Sequence, residues 1–324
     1  MPEQSPSPTG SPPRPPSESG GGVAATPEVV PATDAAGPSP PDSVPEAEAA
    51  GHGRGLGVMA WVAIGWLVLV VLLAILAPLL PIPDPVNDID TNAFLASPSS
   101  GHLLGTTSDG HDVLSMVIFG ARASLIIGVG SILAGFLVGG FLGILSGYFK
   151  GRIGGVIGSV LDIFLAFPNL VLALAIVSFM GQSIRNIVIA LAIVSAPVLA
   201  RIARASTLTW SEREFVLAAR AQGARHARIM WREILPNVLP AMFSIALLGI
   251  AVVIVAEGGL AILGVGVKPP TPSWGNVIND GRSDLADAPW ITLAPSAAIF
   301  FTVLALNYLG DVVRARFDVR ESAL

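Results

Sequence analysis

Two acidic side chains interrupt runs that are otherwise apolar: Glu257 in IALLGIAVVIVAEGGLAILGVGV and Asp162 in GSVLDIFLAFPNLVLALAIVSFM. An ionisable group inside a bilayer is expensive, so it marks a transport pathway, a proton relay or a buried polar contact. Glu257, beside Gly258 and Gly259, reads equally as facing an aqueous pathway or as contacting a neighbouring helix or subunit. Asp162 lies ten positions from Arg152 and reads first as an ion-pair partner near the membrane boundary, second as a pathway residue. Other chemistries find no residues. Cysteine is absent, which removes disulfides and thiolate metal ligands. His52, His102, His111 and His226 form no HxxxH pair, so no metal site is expected. The two lysines, Lys150 and Lys268, are followed by Gly151 and Pro269, so no Gly-Lys-Ser/Thr loop exists to cradle a nucleotide. The chain is expected to catalyse nothing and to bind no cofactor.

The elements that position these residues follow from composition. Of 324 residues 52% are hydrophobic and only 13% charged, with mean hydropathy +0.70. Soluble domains carry roughly 25% charged residues, so much of this surface must face lipid. Residues 1–57 differ: they hold 13 of the 27 prolines and no aromatic residue. Such a stretch cannot offset its ordering entropy and reads as a disordered cytoplasmic tail. From residue 58 onward, apolar stretches near the 20 residues needed to cross a bilayer recur. They predict an all-α, polytopic membrane domain over 58–324, with six transmembrane helices at about 58–80, 123–148, 156–180, 184–200, 239–265 and 290–309. Gly135, Gly139 and Gly143 are spaced four apart and predict close helix packing within the bundle.

Charge supplies the orientation. Twelve Lys and Arg fall in the 147–155 turn, the 201–236 loop and the C-terminal end, against Arg185, Lys268 and Arg282 in the other connections. Basic residues are retained on the cytoplasmic side, so both termini are expected to be cytoplasmic. The 81–117 loop, with five aspartates and no Lys or Arg, is then external. The net charge of −5 belongs to residues 1–57; the remainder is neutral.

The 201–237 loop contains SEREFVLAARAQGARHARIMWREILPN. Ser211 and Glu214 fit a capping box. Phe215, Ala218, Ala219 and Gln222 follow at helical spacing, and Gly223 can end that helix in the left-handed conformation. A second helix is expected, with Ala227, Met230, Trp231 and Ile234 on one face, stopped by Pro236. The helix-turn-helix could read DNA, lie on anionic lipid, or dock a protein. Its place between two spans disfavours nucleic acid.

This loop resembles the Glu-Ala-Ala loop of inner-membrane permeases of ATP-binding-cassette importers: Ala218, Ala219, Gly223 and Ile234-Leu235-Pro236 match, while Leu217 stands where the glutamate would be. HLLGTTSDGHDVLS, GARASL, LDIFLAFPNLVLALA, GVGVKPPTPSWG, APW and LGDVVRARFD are similar to the dipeptide and oligopeptide branch, C-type subunit, over about residues 100–320. His111 and Val319 replace the usual arginine and proline.

The resemblance implies the architecture of a type I importer permease. Its partners would be a homologous permease, two cytoplasmic ATPases carrying ATP and Mg, and an external substrate-binding protein. It places ATPase coupling on Phe215, Ala218, Ala219, Arg220, Gly223, Ile234, Leu235 and Pro236. The rigid, polar 266–290 segment, with Pro270 and Trp274, and the external loop, with Asp109 and Asp112, are expected to form a gate and a landing surface for the binding protein. Peptides are the default cargo, with nickel or haem-like molecules as alternatives. A stand-alone secondary transporter would typically show inverted repeats and several intramembrane charges, and neither is evident.

Overall fold

A computed structural model describes the backbone over residues 57–321 and side chains as far as Arg316. Residues 1–56, which hold most of the expected tail and His52, lie outside the described residues, as do the side chains of Val319 and Arg320. The described backbone is helical, with one isolated bridge between Thr106 and Asp112. The helices are α1 (Val58–Leu76), α2 (Val113–Tyr148), α3 (Arg152–Leu165), α4 (Asn169–Met180), α5 (Ile184–Trp210), α6 (Glu214–Ala221), α7 (His226–Arg228), α8 (Leu235–Ile262), α9 (Trp274–Asp280) and α10 (Pro289–Glu321). Five of the helical stretches are each long and apolar enough to cross a membrane, and α3 with α4 makes a sixth if counted as one bent span.

Several boundaries differ from the sequence expectation, each for a local reason. The second span starts at Val113 rather than 123, because the Asp112 carboxylate accepts from the Ser115 amide at 2.9 Å and caps the helix there. Its 36 residues measure about 54 Å at 1.5 Å per residue, longer than the hydrocarbon core. The expected span 156–180 is two helices meeting at 86°. Pro168 drives Phe167 out of helical conformation and caps α4, so the break is written at that proline. The fourth span continues from 200 to Trp210, because Ala203 and Thr207 are buried against α2. Ser211 therefore belongs to the end of α5: its hydroxyl donates to the Leu208 carbonyl at 3.0 Å, and the expected capping box does not form.

Pro236 does not stop a helix. A π-helical stretch, Ile229–Ile234, joins α7 to α8, and the proline sits in the first turn of α8, where its missing N–H is tolerated. The wide turn also shifts the phase of the buried face. Ile229, Ile234, Val238 and Met242 point inward at spacings of five, four and four, while Ala227 and Trp231 of the expected face are exposed.

The bundle is centred on α2 against α5. Gly135, Gly139, Gly143 and Gly147 face Ser195, Ala196, Ala200, Ala203 and Thr207, so close that added Cβ atoms would sit 2.6 Å from Ser195 Oγ, 2.5 Å from Ala203 Cβ and 2.7 Å from Thr207 Cβ. Lipid supplies no hydrophobic drive for helix association; small side chains replace it by letting backbones approach and gain dispersion contact. The expected glycine spacing is thus an intramolecular packing stripe. It packs α2 and α5 against each other from Gly135 to Gly147.

Candidate functional site

The α6–α7 turn is pinned from within and open on one side. Gly223 has φ +78° and ends α6: its amide donates to the Arg220 carbonyl at 2.9 Å, and the Ala224 amide donates to Ala219 at 3.0 Å. This is a Schellman ending, the arrangement expected for that glycine. Val216, Ile229 and Ile234 are buried beneath the turn with Ile144 and Met242. Phe215, Ala218, Arg220, Gln222 and Gly223 are exposed. Beside them lies a cleft of about 390 Å³, lined by Ala219, Gln222, Gly223, Ala224, Arg225, Arg228, Ile229 and Glu233. The expected coupling residues therefore divide: Phe215, Ala218, Gly223 and Pro236 are presented outward, whereas Ile234 is a core anchor and Leu235 is half-buried. Leu217 is an exposed apolar side chain beside Tyr148, Lys150 and Arg220.

Sequence reasoning missed what holds this turn to the spans. Tyr148, in the last turn of α2, shares a 2.8 Å hydrogen bond with His226 Nδ1 and lies beneath the Arg220 guanidinium, 5.0 Å from its ring centre. Lys150 donates to Glu212 at 2.6 Å and holds that carboxyl below its usual range. The partners are 78 and 62 positions apart, and only the aromatic at the span's end hinted at them.

Glu257 is 0% exposed and belongs to a polar knot. It accepts from Ser273 Oγ at 2.7 Å and from Ser124 Oγ at 3.2 Å. Ser273 in turn accepts from the Asn276 amide, capping α9, and Ser124 accepts from the Trp274 amide at 3.1 Å. Gly275 packs against Gly258, leaving no room for a side chain. Glu257 thus fastens α9, an element the sequence did not announce, to α2 and α8. Glu257→Gln is expected to fold and to keep most of its stability, since the amide can bond both serines. Glu257→Leu, which strands two buried hydroxyls, is expected to lose about 2 kcal/mol or more, measured by thermal unfolding in detergent.

The remaining candidates separate by exposure. Trp274 is 1% exposed, its indole N–H donating to the Val117 carbonyl at 2.9 Å, and Asp112 is buried as the cap of α2. Buried in this way, Asp112 and Trp274 position the segments around them, whereas the expectation placed them at a gate and landing surface. Asp109 and Pro270 are exposed. Burial by the surrounding protein, with the nearby Asp109 charge added to it, pushes Asp280 above the ordinary carboxylate range. Asp162 is exposed and pairs with Arg201 at 2.8 Å. Among the described residues, no group of three metal-ligating side chains occurs.

His102 ties the Asp-rich loop to α2. Its Nδ1 lies 2.9 Å from Asp112 and its Nε2 3.4 Å from Asp90; the bond to Asp112 is the main cause of its raised pKa. A histidine raised in the folded state stabilises fully below about 6.5, and that contribution fades as pH rises through the folded value. His102→Gln is therefore expected to lower the unfolding temperature more at pH 5.5 than at pH 8.5. A difference independent of pH would contradict the clamp.

A bundle of apolar spans, tied by glycine packing and carrying a pinned helical turn at one end, defines a multi-span helical membrane protein. The model of the family described as "Binding-protein-dependent transport system inner membrane component" matches residues 139–322. The glutathione transport system permease protein GsiD of Pectobacterium atrosepticum is 39% identical over 72% of this chain and 78% of its own length. The dipeptide transport system permease protein DppC of Alkalihalophilus pseudofirmus is 38% identical over 76% and 81%. The di/tripeptide transport system permease protein DppC of Pseudomonas aeruginosa is also 38% identical, over 78% and 85%. In fold, the chain is similar to the MetNI methionine ABC transporter in an inward-facing conformation, with TM-score 0.54 at 19% identity, covering 62% of this chain and 95% of that one. The chain belongs to the family of binding-protein-dependent transport system inner membrane components, a transport component rather than a catalytic subunit.

Proposed function

We propose that this chain is one permease half of an ATP-driven importer of short peptides, with its α6–α7 turn as the dock for a separate ATPase. The observation that carries the reading is that turn: a helix end closed by Gly223, anchored from beneath, with small side chains and an open cleft facing away from the bundle. The relatives' names, dipeptide, di/tripeptide and glutathione, support short peptides as cargo. On this reading two ATPases carry ATP and Mg, a homologous permease completes the pathway, and a binding protein delivers cargo at the Asp-rich end. The arginines around the turn support a cytoplasmic position for it. Both termini are then cytoplasmic, with α3 and α4 forming one broken crossing.

The test is purification through a tag on this chain from cells expressing its transport partners, followed by uptake of labelled dipeptide into proteoliposomes. ATPase subunits are expected to copurify, and uptake is expected to require ATP and the binding protein. A chain that purifies alone and moves peptide without ATP would support a secondary transporter instead.

A further inference from the structure

We propose that Tyr148 is the strut that passes displacement of the α6–α7 turn into the membrane-spanning bundle. The inference rests on the docking reading above and adds the route by which that dock would act. One side chain reaches both arms of the turn: the Tyr148 hydroxyl shares its 2.8 Å bond with His226 on α7, and Arg220 of α6 stacks on its ring at 5.0 Å. Phe149 closes the group edge-on to the Tyr148 ring at 5.0 Å and lies 5.7 Å from the His226 ring. Tyr148 itself is buried, packed in the cluster of Ile144, Ala203, Val216, Ile229 and Val238, so its ring has little freedom to turn away from a push. Directly before it, Gly147 lies against Thr207 and the Arg204 carbonyl, which locks this end of α2 to α5.

The geometry therefore makes a continuous path of close contacts. A partner seated in the cleft at Gln222, Gly223 and Arg225 bears on α6 and α7 from one face; Tyr148 receives both from the other and hands the load to α2 and α5. The second link, Lys150 to Glu212, is exposed at both ends, and exposed pairs contribute little. Tyr148 is a positioning residue here, not a contact for cargo or nucleotide.

The experiment uses the complete complex in proteoliposomes, reading peptide taken up per ATP hydrolysed, with a cysteine at Ala218 cross-linked to the ATPase as a report on docking. Tyr148→Phe removes the hydrogen bond and keeps the ring beneath Arg220. It is expected to lower uptake per ATP roughly fivefold, the value of one hydrogen bond of about 1 kcal/mol, with cross-linking and ATPase content unchanged. Tyr148→Leu, which loses the ring stacking as well, is expected to lower it further. His226→Leu is expected to match Tyr148→Phe, and the double variant to be no worse than either single one. Unchanged uptake per ATP in Tyr148→Phe, or additive losses in the double variant, would overturn the strut. Absence of the Ala218 cross-link in the unaltered complex would instead overturn the docking reading. If Tyr148→Leu fails to assemble, Tyr148→Phe and His226→Leu carry the decision.

Discussion

Replacing Gly143 with valine is expected to abolish accumulation of the folded protein in the membrane. An added Cβ at Gly143 meets the Ala200 carbonyl oxygen and lies 2.5 Å from Ala203 Cβ and 3.0 Å from the Arg204 amide. These are backbone atoms and a methyl group on a helix already locked by its own hydrogen bonds, so nothing flexible can give way. The helices must separate, and separation at Gly143 also loosens the approaches at Gly139 and Gly147. Overpacking of a tight core costs about 1–3 kcal/mol for ordinary sites. Here the loss of a whole close-contact stripe adds to it, against a total stability of only about 5–15 kcal/mol. Gly155→Ala is the control: nothing lies within 4 Å of its Cβ position and its backbone is ordinary helix. It is expected to accumulate like the parent, or slightly better. Membrane levels and detergent-exchange monodispersity of the two variants measure the contrast.

Gly223→Val is expected to cut uptake by more than tenfold while leaving folding of the spans intact. The space around Gly223 is open, so no clash is involved. The obstacle is φ +78°, a conformation that costs an L-residue roughly 1–2 kcal/mol and is an outlier for a β-branched one. The chain is expected to relax by unwinding the turn, which breaks the bonds from Gly223 to Arg220 and from Ala224 to Ala219 and deforms the cleft. Nothing lies within 4 Å of the Gly223 Cβ position, so the substitution presses on no residue of the α2–α5 stripe and that packing is expected to stand. Gly223→Asn supplies the discriminating comparison, since asparagine tolerates the left-handed region. It is expected to retain most of the uptake. Equal loss in both variants would show that the side chain at this position, rather than the turn, matters.

The spans were legible because length and apolarity suffice to demand them, and Gly135, Gly139 and Gly143 were legible because a spacing of four can place them on one helix face. Gly223 was legible for a related reason: its residue type answers to one backbone conformation. What could not be read depends on partners far along the chain. Arg201 and Arg204 look like the start of a loop, yet α5 continues because Ala203 and Thr207 are held under the glycines of α2. A π-turn shifts the buried face onto Ile229 and Ile234, a phase that counting at 3.6 residues per turn cannot anticipate. The segment KPPTPSWGN reads as a loop, yet α9 starts in it because Ser273 caps the helix while Glu257, 16 positions from Ser273, and Ser124, 150 positions from Trp274, hold it in place. Glu257 itself was conspicuous in the sequence. Its role was not, because both of its serine partners are common residues in unremarkable positions.

The most direct measurement is cross-linking from a cysteine introduced at Ala218, in the full complex reconstituted with its ATPases, compared with one introduced at Asp109 at the opposite end of α2. A cross-link to an ATPase subunit from position 218, changing in yield on addition of ATP, and none from position 109, is the expected result. Cross-linking to the ATPase from position 109, or from neither position in a complex that still transports, would contradict the assignment of the α6–α7 turn as the dock.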